Sequence, residues 1–419
     1  MKILILLFVF SNMTFSQLFY EANSGVTVGL NSVSFSSAFP VATTWIAGDS
    51  GNVLKSNNGN TWQNMRSGPI PSSLNLNSVC SFDINNVLVT GNSVDSSFVF
   101  MTSNSGVNWI KVHSQNNGYF YSIGRTSSTN GILIGKPVNS RWSIWKTTNK
   151  GASWDSVNLY LPQLGNETGI DNAIYCNPYE ADLWFGTNNS RIYRLQNYSI
   201  WSVQQTSQQN SNVIAFMGTF GWTGGNSLLR TTNYGSNWFV PVSNPPGSSD
   251  FTSLYYGPVG IYVTRSDNKI YRSTDNGSSW ILAYTANSGN YKNSCYYSLT
   301  GGGLIFIRSN GGITICGFPD ALNQISTIVP RNFSLSQNYP NPFNPSTKIR
   351  FSISGSSVAQ TFLYVYDMLG REIATLVNEE LKPGTYEVNW DASNYPSGVY
   401  FYRLTTETFY ETRKMVLIR

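Results

Sequence analysis

The chain has 419 residues, 41% of them apolar and 14% aromatic, which is enough to build two or three β-rich cores. Charged residues make up only 11% and the formal net charge is +5, with no Lys/Arg cluster of the kind that tracks phosphates, so nucleic acid is not an expected partner. A single histidine and four scattered cysteines leave no metal-ligand set, no cofactor fingerprint and no triad in the sequence.

The first predicted element is a targeting segment. Met1-Lys2 supplies a positive start, Ile3 to Phe10 an apolar stretch too short to span a bilayer, and Thr14-Phe-Ser16 small residues suited to cleavage before Gln17. Residues 1–16 are therefore read as a signal peptide. No Cys at the cleavage site indicates a lipid anchor, and no later run indicates a transmembrane segment in the mature chain.

From residue 20 an eight-residue turn recurs: Lys55 to Trp62, Thr102 to Trp109, Thr147 to Trp154, Thr231 to Trp238 and Ser273 to Trp280. The tryptophans are 47, 45, 84 and 42 residues apart, and the 84 reads as two repeats with one turn decayed between them. Arg191-Ile-Tyr-Arg194 before Trp201 copies Lys269-Ile-Tyr-Arg272 before Trp280 and marks the hidden unit; Gly303 to Gly312 marks a last one. A period of roughly 40–50 residues with short β-prone runs is the pattern of propeller blades. Each unit opens on an apolar strand (Leu30 to Phe35, Leu76 to Phe82, Phe120 to Ile123, Val213 to Phe216, Phe251 to Leu254), and a second strand often ends in Gly (Gly48, Gly91, Gly135, Gly186). The prediction is an all-β chain: a seven-bladed β-propeller over residues 20–325, four antiparallel strands per blade, then a small Ig-like antiparallel β-sandwich.

The turn composition follows from hairpin chemistry. An Asx side chain bonds the backbone two residues on, Gly accepts positive φ, and the Trp folds back as an apolar plug. The assigned positions are Asn57, Gly59 and Trp62; Asn104, Gly106 and Trp109; Asn149, Gly151 and Trp154; Asn233, Gly235 and Trp238; and Asp275, Gly277 and Trp280. These turns resemble the Asp-box, or BNR repeat, of sialidases, sortilin-type receptors and photosystem II assembly factors, although only Asp275 keeps the acid. In those families the box lies on the blade periphery, so the resemblance implies a fold and no chemistry.

Within the propeller, the residues expected at the mouth of the central channel are Asn31, Asn77, Tyr119, Asn212, Asp250 and Asn293, where aromatics beside amides suit an extracellular glycan or protein ligand. His113 is expected on an outer strand, solvated or half-buried. Glu167 and Asp171 could form a glycosidase pair, but a loop between blades gives both a simpler reading as solvated turn residues. Trp222 is read as blade core before ligand contact. Cys80, Cys176 and Cys295 fall at corresponding inner-strand positions and are expected as reduced thiols; Cys295 with Cys316 is the one pairing left open. A sialidase would need an arginine triad, and the first unit supplies no Arg before Arg66.

Composition shifts near residue 326. A linker over 326–332 precedes a sandwich of 87 residues (419 − 332 = 87), with 8 basic and 8 acidic residues, so the rest of the chain carries the excess of 18 − 13 = +5. Gln337-Asn-Tyr-Pro-Asn-Pro-Phe343, Val365-Tyr-Asp to Gly370, Ser397-Gly-Val-Tyr-Phe-Tyr402 and the basic-apolar end resemble, in order and spacing, the C-terminal sorting domain of type IX secretion substrates of Bacteroidetes and their relatives. The resemblance assigns residues 333–419 to that domain and its signal to Asn338, Pro340, Pro342, Asp367, Gly370, Gly398 and Lys414. It implies export through the periplasm, contact with the type IX machinery, and delivery to the extracellular space or outer cell surface. The expected function is a non-catalytic binding or scaffold propeller, and the rival is a secreted, sialidase-like glycoside hydrolase.

Overall fold

A computed structural model describes residues 18–38, 41–177, 182–197, 199–257, 259–297, 302–317, 323–392 and 395–418. The signal-peptide expectation falls outside them. The described residues are strands and turns without a helix, and none of their segments is a helix long and apolar enough to cross a membrane. They divide into two compact units, a propeller and a C-terminal sandwich.

The propeller contains, among the described residues, seven small antiparallel sheets, within residues 30–64, 75–116, 120–147, 169–205, 213–231, 251–285 and 291–317. Their first strands neighbour one another in chain order, and Tyr291–Tyr297 of the last packs against Leu30–Ala38 of the first. Leu18–Ala22 completes the seventh sheet beside Ile313–Gly317. Glu21 fastens that closure, accepting from Tyr284 Oη at 3.0 Å, Thr314 Oγ1 at 2.9 Å and the Arg308 guanidinium, while Phe19 stacks on Tyr284 with ring centres 5.0 Å apart. The hidden repeat is a full sheet, Gly169–Asn177, Asp182–Thr187, Arg191–Gln196 and Ile200–Gln205, lying in sequence between Trp154 and Trp238.

Two sheets depart from four strands. Outside Arg141–Thr147 the chain makes only isolated bridges at Pro162 and Asp155, and outside Leu228–Thr231 only one at Phe239. Pro162 and Pro241 lack the N–H a ladder needs, and Asn158 sits at φ 61°, which interrupts an extended strand.

The recurrent turn works between sheets. Thr102 Oγ1 accepts from the Gly106 N–H at 2.9 Å, Asn104 Oδ1 accepts from the Asn108 N–H at 2.9 Å, and the same pair of bonds recurs from Thr147, Thr231 and Ser273. Gly106, at φ 89°, has to be Gly because a Cβ there would lie 2.7 Å from the Trp45 ring of the preceding sheet. Trp109 then packs edge-on to Trp45 at 6.2 Å and donates Nε1–H to Met65 O at 2.9 Å, and Trp280 meets Trp222 the same way at 6.3 Å. The plug therefore seals neighbouring sheets to each other. One residue differs from the sequence assignment: in the first turn Ser56 supplies the hydroxyl and Asn58, not Asn57, the acceptor, with the Thr61 N–H donating to Asn58 Oδ1 at 2.9 Å. That turn is one residue tighter, so the acceptor moves next to Gly59.

The C-terminal unit is a sandwich of two four-stranded sheets. One runs Asn323–Ser326, Gly384–Asp391, Ser346–Ile353, Ser334–Leu335; the other Glu372–Leu381, Ala359–Tyr366, Gly398–Thr405, Tyr410–Leu417. Alternate residues, such as Ile349, Phe351 and Ile353 or Tyr400, Tyr402 and Leu404, fill one core with Trp390. Residues 323–325, expected in the propeller, instead pair with Gly384–Asp391.

Candidate functional site at the channel mouth

A channel of about 210 Å³ runs between the inner strands and takes lining residues from all seven sheets, among them Ser32, Ser78, Ser122, Asn172, Asn212, Ser253 and Asn293. The lining is uncharged. Its geometry originates in the inner strands' register, which shifts between Leu30 and Ser32, Leu76 and Ser78, Phe120 and Ser122, and Phe251 and Ser253. Two of these serines tie neighbours together: Ser32 Oγ accepts from the Val79 N–H and Ser78 Oγ from the Ile123 N–H, each at 3.2 Å.

The six expected mouth residues divide by role. Asn31 Nδ2 donates to Asp49 Oδ1 at 2.8 Å and to Leu76 O at 2.9 Å, so its amide joins the first two sheets. Asn77 is buried; its Nδ2 donates to the carbonyl of Phe120 and its Oδ1 accepts from Thr90 and Asn92, each at 3.0 Å. Asn212 and Asn293 line the channel. Asp250 is exposed, its carbonyl accepting from the Ser266 N–H at 2.8 Å. Tyr119 donates its hydroxyl proton to Asp171 Oδ2 at 2.9 Å. Burial, then the Asp171 carboxylate, pushes the Tyr119 phenol up, keeping it a donor.

The fourth sheet makes the mouth asymmetric. Between Gly169 and Ile174 its inner strand leaves register, and Asn172, at φ 59°, sends Nδ2 to both Asn31 O and Asn77 O at 3.1 Å. Gly169 lies under the Tyr121 ring, where a Cβ would clash. Repeat reasoning gave no sign of this bulge, because here the inner strand departs from the one-residue shift that four other sheets share.

Glu167 corrects the expectation of a solvated turn residue. It is 0% exposed, accepts hydrogen bonds from Trp142 Nε1–H at 3.2 Å, the Leu164 N–H at 3.0 Å and the Tyr193 hydroxyl, and pairs with Arg191 at 2.9 Å. A loop residue with four donors is structural. The signal for it lay in Arg191-Ile-Tyr-Arg194, used only as a repeat marker. Arg265, 1% exposed, was also missed: it donates to Asn226 O at 3.0 Å and Pro245 O at 2.9 Å and lies over Phe251 at 4.0 Å, pinning the loop before the sixth sheet.

The remaining candidates are placed simply. His113 lies in Ile110–Asn116, half-buried, its ring 4.4 Å from that of Trp145, and burial holds its pKa below the ordinary value. Trp222 is buried in the core. No disulfide joins any of the four cysteines, so Cys295 and Cys316 are not bridged. Among the described residues no group of three His, Cys, Asp or Glu could hold a metal.

In the sandwich, Asn338 is buried: its N–H donates to Tyr402 Oη at 2.8 Å, Tyr402 O–H donates to Ser336 O at 2.7 Å, and Asn338 Nδ2 donates to Thr347 Oγ1 at 2.9 Å and Pro340 O at 3.0 Å. The peptide bonds before Pro340 and Pro342 are cis. Asp367 caps a turn by accepting from the Leu369 and Arg371 N–H groups, with Gly370 at φ 75°. Gly398 opens a strand, and the carbonyl of Lys414 accepts from Gln337 Nε2 at 2.8 Å.

Residues 337–418 match the family of secretion system C-terminal sorting domains. That tail marks the chain for export by type IX secretion to the cell surface or extracellular space, and implies contact with the secretion machinery. No curated protein matches the chain. Among solved structures it is similar to YCF48 bound to a D1 peptide, at 17% identity over 71% of this chain and 96% of that one with a TM-score of 0.56. It is also similar to the WD40 β-propeller domain of Doa1, at 14% identity over 72% and 97% with a TM-score of 0.52. A third likeness is the extracellular domain of the putative hybrid two component system BT3049 from B. thetaiotaomicron, at 11% identity over 96% and 57% with a TM-score of 0.50. At these identities the likeness shows the β-propeller fold.

Proposed function

We propose that the chain, freed of a signal peptide by cleavage before Gln17, works outside the cell as a non-catalytic binding or scaffold module. Its seven-bladed propeller takes a protein or glycan ligand at the channel mouth. The observation that carries this reading is the convergence of polar side chains from all seven sheets on an uncharged channel, with Asp171, next in sequence to the lining residue Asn172, hydrogen-bonded to Tyr119. A fold shared with YCF48, a propeller solved with a bound peptide, is in keeping with a peptide or protein ligand. The commitment of Glu167 to Arg191, Tyr193 and Trp142 supports a binding role over hydrolysis, since a glycosidase pair with Asp171 would need that carboxyl free.

Peptide and glycan arrays probed with the full chain test it. Ligands are expected whose retention falls at least about tenfold in Tyr119→Ala and Asn212→Ala and is unchanged in Ile281→Ala, on an exposed outer strand. Equal loss in all three variants, or turnover of a glycan, would overturn the reading.

A further inference from the structure

Asp171 is exposed and lies on the out-of-register stretch that Asn172 fixes across two other sheets. Its two oxygens are held by separate donors. Tyr119 O–H donates to Oδ2 at 2.9 Å and Asn77 Nδ2 donates to Oδ1 at 3.3 Å. Both donors are neutral, and among the described residues no cation lies within 4 Å of the carboxylate in an ion pair. Beside it the rings of Tyr119 and Tyr121 stand 5.1 Å apart at 51°, Tyr121 seated on Gly169. A carboxylate held by two neutral donors, with two tyrosines beside it and no cation in contact, has the chemistry of a cation site, because its remaining lone pairs attract positive charge.

We propose that Asp171, Tyr119 and Tyr121 form a subsite for a protonated amine carried by the ligand, oriented by Asn77 and Asn172. The site rests on the binding function proposed above and names the chemistry it selects. Lys292, whose charge reaches Asp171 from the start of the seventh sheet's inner strand, works against the incoming cation. Asp171 keeps solvent access, yet the protein atoms crowded around its carboxyl push it up, and a bound amine opposes that push.

The experiment titrates the full chain with two pairs of probes by calorimetry: a lysine-containing tripeptide against its Nε-acetyl form, and glucosamine against N-acetylglucosamine. The two pairs separate a peptide source of the amine from an amino-sugar source. At least one free amine is expected to bind about tenfold or more tighter than its acetylated form. Asp171→Asn, which keeps the shape and an acceptor for one of the two donors but removes the charge, should erase that preference, and Lys292→Ala should tighten the amine. Equal binding of both forms, or a preference that survives Asp171→Asn, overturns the subsite. If neither amine binds while array ligands still depend on Tyr119, the subsite falls and the binding function stands; if nothing binds, both fall.

Discussion

The propeller and the sorting sandwich bury comparable aromatic side chains in opposite ways. In the sandwich one set of alternating residues, from Leu335 to Leu417, fills a single core between two sheets. In the propeller each core is shared: Trp45, Ala47 and Val53 of the first sheet pack with Leu76, Val79, Val89, Phe100 and Trp109 of the second. Damage in the sandwich is therefore confined to one core, whereas damage in a propeller sheet removes a wall from its neighbour. Polar ties divide likewise, since Ser32, Ser78 and Asn31 bond across sheets while Tyr402 and Asn338 knit one loop to its own sandwich.

The largest effect should come from Glu167. Glu167→Ala leaves Arg191 facing a buried site without its partner and should cost about 3–5 kcal/mol, lowering the propeller's unfolding transition in calorimetry while the sandwich transition stays put. A fall of both transitions together would erase the distinction between the regions. Next, Tyr402→Phe removes the hydroxyl that serves Asn338 N–H and Ser336 O and should cost about 1–3 kcal/mol in the sandwich alone. Reduced appearance of the chain outside the cell should accompany it. A smaller loss separates the first turn's two asparagines: Asn58→Ala should cost about 1 kcal/mol and Asn57→Ala less than about 0.5 kcal/mol. The reverse order in chemical denaturation would restore the assignment from the repeat pattern.

The smallest effect concerns pH. Burial raises the Asp83 carboxyl, but hydrogen bonds from Lys150 and the N–H groups of Asn85 and Asn86 outweigh it and hold it at about 2, from an ordinary 3.8. The folded value is the depressed one, so this contribution to the join between the second and third sheets is present above about pH 4 and is lost as pH falls through about 2. Lys150→Met should move the Asp83 midpoint upward in an NMR titration, and an unmoved midpoint would remove the inter-sheet tie.

What could be read from the chain follows the same division. The turns were legible because hydroxyl, Asx, Gly and Trp are each demanded locally, and their spacing revealed even the unit around Trp201. The sandwich was legible from its alternation and its Pro- and Gly-bounded runs. The channel was legible only in part: Asn212 and Asn293 line it, whereas Asn31 and Asn77 serve neighbouring sheets, a fact set by partners 45 and 43 residues away. Asp171 and Glu167 stand where the fourth unit leaves the repeat, so a repeat-based reading could not rank them. Regularity specifies the scaffold here, and the departures from it carry the exposed carboxylate of Asp171.

The most direct test places a photo-crosslinking phenylalanine analogue at Tyr119 and, separately, at Ile281 in the exported full chain. Adducts with a ligand are expected from position 119 and not from position 281. Adducts from 281 alone, or equally from both, would contradict a ligand surface at the channel mouth.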